Sequence, residues 1–155
     1  MNKRALLFFV VIGMILPAFT PSAQATSNYA YKPNEYVAIT RGRSPDGVYS
    51  IAAHGEGDIG DQDFNLHLFD AKTGKKIGPL ASDPENTWGA DTLAGAYHAN
   101  WSADSKSVTI SYRTDRHTVS CIKLRIENKR ISRVSGPTPI TDGQAKEFGW
   151  PDLQN

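Results

Sequence analysis

Apolar and polar residues alternate one by one from Phe64 to Phe69 and again from Val108 to Arg113, the period of a strand that buries one face. In the first run Phe64, Leu66 and Leu68 oppose Asn65, His67 and Phe69. In the second, Val108, Ile110 and Tyr112 oppose Thr109, Ser111 and Arg113. Residues 118–127 repeat the form, with Ile122, Leu124 and Ile126 on one side and Cys121, Lys123 and Arg125 on the other. Residues 35–40 carry Tyr36, Val37 and Ile39, side chains that suit a pleated surface. Further strands are predicted at 48–54, 75–80, 97–101 and 130–134, so the class is all-β.

Turn residues separate these runs. In Ser44-Pro45-Asp46-Gly47, Pro45 pre-sets φ and Gly47 accepts a left-handed conformation. Asp70-Ala71-Lys72-Thr73-Gly74 closes a tight hairpin that returns 75–80 against 64–70, and Asn128-Lys129 makes another turn. Residues 55–62 form a glycine-rich acidic loop, and 81–95 is the longest stretch without a period. Loops of that length are usually functional. Pro137 and Pro139 are expected to end the last ladder, because proline has no N–H to donate. Residues 144–148 are predicted to form one helical turn before Gly149-Trp150-Pro151.

Laid over each other, 44–80 and 102–134 share the order turn, strand, connection, strand, tight turn, strand. The phrases Ser44-Pro45-Asp46-Gly47 and Trp101-Ser102-Ala103-Asp104 resemble the Trp-Ser-Pro-Asp-Gly motif of the WD-like β-propeller repeats found in Tol-type periplasmic proteins. Asn65-Leu66-His67-Leu68-Phe69-Asp70 with Thr73-Gly74 looks like the later strand and turn of such a blade. The first copy has Arg43 where the motif has Trp, and the second has neither the Pro nor the Gly. The resemblance implies antiparallel hairpins in two blade-like repeats, 36–80 and 96–134, as a partial-propeller or sandwich-like single domain. A closed propeller takes at least four blades, and the resemblance implies almost nothing about activity.

The chain begins with Lys3 and Arg4, an apolar run at 5–16, and Ala23-Gln24-Ala25. That is the form of a secretory signal peptide cleaved after Ala25, the run being too short for the ~20 residues of a membrane-spanning helix. The organisation that follows is leader 1–25, N-terminal arm 26–34, all-β domain 35–136 and C-terminal tail 137–155, with periplasmic or secreted localisation and no membrane anchor after cleavage. The leader carries two of the 17 basic residues and none of the 16 acidic ones, so the remaining chain has a formal charge of −1. That balance gives no footprint for nucleic acid. Cys121 is the only cysteine, so no internal disulfide is available, and it reads as a buried small side chain.

His-Glu-x-x-His, Gly-x-Ser-x-Gly, Cys-x-x-Cys and a phosphate-cradling glycine loop are absent from the sequence, which favours a non-catalytic protein without closing the enzyme reading. His54, His67, His98 and His117 show no ligand spacing, and His67 is expected to be the most exposed of them. Asp58, Asp61 and Asp63, with Glu56, suggest a calcium loop by oxygen count but match no known spacing; no other cofactor is implied. Trp101 reads as core. Trp88, beside Asp91 and Glu85 in the long loop, together with His67, makes the candidate contact for a partner protein. The leading expectation is an exported interaction module, of the kind that inhibits or confers immunity to another exported protein. The alternatives are a small envelope hydrolase using loop carboxylates, or an accessory structural protein with no specific ligand.

Overall fold

The described residues form eight strands, β1 Val37–Arg43, β2 Tyr49–Glu56, β3 Asp63–Asp70, β4 Lys76–Pro79, β5 Tyr97–Trp101, β6 Ser107–Arg113, β7 Val119–Glu127 and β8 Arg130–Pro139, and one α-helix, α1, at Asp142–Glu147. The computed structural model describes residues 29–56, 63–80, 88, 91–114 and 118–150. The leader 1–25, Asp58, Asp61, Glu85 and His117 lie outside the described residues. The strands form one curled, mixed sheet in the order β4-β3-β2-β1-β5-β6-β7-β8. Each half is an antiparallel four-strand meander, and the halves meet where β1 and β5 run parallel with Thr40 opposite His98. The protein is all-β.

The two turns that open β2 and β6 are bonded alike. Ser44 Oγ donates to Asp46 Oδ1 at 2.6 Å, Asp46 Oδ1 accepts from the Val48 amide, and Ser44 Oγ accepts from the Tyr49 amide. Ser102 Oγ donates to Asp104 Oδ1 at 2.6 Å, with the Lys106 and Ser107 amides in the corresponding places. Gly47 and Ser105 hold the left-handed position, at φ 68° and 57°. The two turns also touch, the Asp46 amide donating to Ser105 Oγ at 3.2 Å. Short polar side chains that bond their own backbone two or three residues on make this shape without Pro or Gly.

Aligning these turns aligns Tyr49 with Ser107, whose cross-strand partners are Asp70 and Arg125. Ile51 and Ala53 then fall on Thr109 and Ser111, and Leu66 and Leu68 on Cys121 and Lys123. The core takes Ile51, Ala53, Leu66 and Leu68 from the first meander but Val108, Ile110, Tyr112, Ile122 and Leu124 from the second. The buried sets are one residue out of phase, so opposite faces of the two meanders point inward. The seam joins β1 to β5, the first strand of each meander, with Thr40 opposite its own aligned residue His98. Equivalent edges therefore meet in a pseudo-two-fold arrangement about an axis along the strands, and such an axis turns opposite faces inward. Aromatic rings bridge the seam: Tyr49 stacks on Trp101 with centroids 6.4 Å apart, and Phe64 on Tyr97 at 5.5 Å.

The outer faces of the two meanders are unlike. The chain's C-terminus covers that of the second meander. Thr141 caps α1 in a reciprocal box with Gln144, Ala145 and Trp150 pack on Val119, and the Trp150 indole stacks on His98 at 4.2 Å. Its Nε1 donates to Ser111 Oγ at 2.9 Å, so Ser111 is fully buried on a face read as polar. The proline expectation is corrected: β8 runs through Pro137 to Pro139, opposite Thr138–Cys121 and Pro139–Ser120 pairs. It is an edge strand, where a missing N–H on the open side costs no ladder bond. Cys121 is half-buried, on the outer face and not in the core.

Candidate functional site

The outer face of the first meander is the one the C-terminus leaves open. Ala52 pairs with His67, His54 with Asn65 and Glu56 with Asp63, and paired residues share a face. All of these but Ala52, with Tyr36, Lys76 and Pro79, line a pocket of about 210 Å³. The turn alignment places His54 and His67 where the second meander carries Tyr112 and Ile122, both core residues there. Histidines at two positions that pack apolar in the sister meander are the sequence signal for this face. It becomes legible only once register is known.

Tyr36 organises the pocket. Its ring stacks on His54 at 4.4 Å and meets His67 and Phe69 edge-on at 5.3 and 5.1 Å. Lys76 Nζ donates to the Tyr36 hydroxyl at 2.8 Å and sits 5.2 Å from the ring centroid. His54 is buried and fixed, Nδ1 lying 2.5 Å from the Glu35 carbonyl and Nε2 3.2 Å from Glu56 Oε1. His67 is half-buried beneath Tyr36, not the exposed histidine expected from its polar strand face. Its Nδ1 is buried without a hydrogen-bond partner among the described residues. Burial, then the Lys76 charge and the nearby His54, pull its pKa down to about 4.

The remaining expected contacts are dispersed. Trp88 is 1 % exposed and wedged edge-on between Tyr97 and Tyr112, with Nε1 donating to Asn65 Oδ1 at 3.0 Å. It plugs the core and offers no surface to a partner. An aromatic flanked by glycine in a long loop serves as well for closing a sheet end as for docking, and the seam between the meanders decides it here. Asp91 is buried as well, accepting from the Leu93 amide at 2.9 Å. Burial raises its pKa, partly offset by the Leu93 bond and by Arg113. Of the proposed calcium ligands Glu56 and Asp63 are described. They are exposed to solvent at the end of β2 and the start of β3, and no group of three metal-ligating side chains stands together among the described residues.

The geometry defines an all-β protein in which residues 140–150 cover the outer face of the second meander and the outer face of the first carries a histidine-lined pocket. No family model, curated protein or solved structure matches the chain. No helix among the described residues is long and apolar enough to cross a membrane.

His67 couples the pocket to acidity. Its folded pKa of about 4 lies below the ordinary 6.5, so the unfolded chain binds its proton first. Stability tied to this ring is complete above about pH 6.5 and lost as pH falls towards 4. For a half-exposed ring the loss is about 1–2 kcal/mol after screening. Urea melts at pH 7 and 4.5 are expected to show that loss in wild type and a smaller one in His67→Asn. An identical pH dependence in the two proteins would place His67 in water.

Proposed function

We propose that this chain is an exported binding module and that the open face of its first meander, around Tyr36, His54, His67 and Lys76, receives a partner protein. The supporting observation is the unpaired Nδ1 of His67 in a concave pocket lined also by a cation, Lys76, and two carboxylates, Glu56 and Asp63. A half-desolvated polar group wants a partner, and a site with charges of both signs around a fixed aromatic is a recognition surface. The leader-like residues 1–25 support export. We read the two meanders as blade-like units, on the strength of their matching turns.

The test uses the mature protein as bait in a periplasmic extract, beside Glu56→Lys/Lys76→Glu, which reverses two exposed charges without touching the core. One stoichiometric partner, kept by wild type and lost by the double variant, is the expected result. No partner, or one held equally by both baits, overturns the reading.

A further inference from the structure

The two histidines of the pocket are held differently. His54 has a partner at each ring nitrogen, the Glu35 carbonyl at Nδ1 and Glu56 at Nε2. His67 Nδ1 is buried and has none among the described residues. Orphaned buried donors are rarer than under-used acceptors, so the neutral ring turns a lone pair inward at Nδ1 and carries its proton on Nε2. A second proton has only Nδ1 to go to, where it is a donor with nothing to receive it.

Charged and titratable side chains reach that ring from each neighbouring element. Tyr36, ahead of β1, meets it edge-on at 5.3 Å, and His54 of β2 lies 6.2 Å away. Lys76 of β4 opposes a charge on it, as does His54. Glu56 of β2 and Asp63 of β3 favour that charge, but both are exposed, where salt and water screen them. The wall above Nδ1 is Tyr36. It precedes the first ladder pair of β1 and is held by the Lys76 bond, the stack on His54 and an edge contact to Phe69, so it can leave without breaking the sheet.

We propose that acid opens this pocket: on taking a second proton His67 turns Nδ1 out from beneath Tyr36, and Tyr36 leaves His54 and Lys76. The surface that meets a partner at neutral pH is then dismantled, and the partner is released. The release rests on the partner reading above; the opening does not. An ionised ring buried without a partner is costly to keep, whereas the open arrangement gives it water. The folded ring resists its proton down to about pH 4, so opening is expected as pH falls from about 6.5 towards 4.

The mature chain, labelled in its tyrosine and histidine rings, is titrated from pH 7 to 4 by NMR. The Tyr36 signals are expected to leave the shifted position that stacking on His54 imposes and to reach that of a free tyrosine, with one midpoint shared by the His67 ring nitrogens. Tyr97 and Tyr112, in the core, are expected to hold their positions over the same range. In His67→Asn, Tyr36 is expected to stay in place at pH 4.5. Protonation of His67 with Tyr36 unmoved overturns the proposal. Joint movement of Tyr36, Tyr97 and Tyr112 also overturns it, being global acid unfolding, as does movement in His67→Asn like that in wild type, which assigns opening to another group. Should His67→Asn fail to fold, the shared midpoint in wild type decides alone. A partner captured at pH 7 is expected to elute at pH 4.5 at least about tenfold more from wild type than from His67→Asn. Equal elution overturns the release, and capture of no partner overturns the pocket reading while the Tyr36 titration still decides the opening.

Discussion

Ile110→Asp unfolds the domain at neutral pH, while Thr109→Asp one residue away melts within about 1 kcal/mol of wild type. Ile110 is fully buried, paired with Ala99 on one side and Ile122 on the other. A carboxylate there has no cation and no donor. Burying it unpaired costs several kcal/mol, on the scale of the whole stability of a domain this size. Thr109 points to the other face, beside Lys123, where a carboxylate meets water and a positive charge. Thermal melts of the two variants and wild type read the difference. Equal losses would mean that β6 is buried on both faces, contrary to the register described.

Trp150→Ala is expected to cost about 3–5 kcal/mol, the range for deleting a large buried aromatic. Trp150 is 7 % exposed, so the loss is mostly burial, with three specific additions: the stack on His98, the Nε1 bond to Ser111, and the Arg113 guanidinium 5.4 Å from its ring. Trp150→Phe keeps an aromatic ring and deletes the donor, and is expected to lose about 1–3 kcal/mol. That is the loss of one bond to the buried Ser111 hydroxyl, which keeps its long contact to the His98 carbonyl, with a small packing deficit. Urea titration ranks the three proteins. If Trp150→Ala melts like wild type, the C-terminus does not cover the second meander in solution.

Strand positions were legible in the chain because alternation and burial share a cause: every second side chain of a half-buried strand must be apolar. Phe64, Leu66 and Leu68, and Val108, Ile110 and Tyr112, are core as their period predicts. What alternation omits is which outer face another part of the chain will cover. Ser111 reads as solvent-facing and is fully buried, because Trp150, 39 residues later, brings both an apolar plane and a donor. Trp88 reads as an exposed anchor and is core for a similar reason, its partners Tyr97 and Tyr112 being set by the seam between meanders. The pocket was hidden further still. His54 and His67 are 13 positions apart in sequence, and only the β2–β3 register, with Tyr36 arriving from ahead of β1, brings their rings to 6.2 Å.

The pseudo-two-fold at the seam sets a limit on size. Applied twice, that operation returns each meander to itself, so the β1–β5 seam is consumed once the pair has formed. A third copy of the unit would find no matching edge there and would have to join at β4 or β8, strands that the first two copies do not use to bind one another. Duplication therefore completes this sheet at two units, where a repeat related by translation could be lengthened without end.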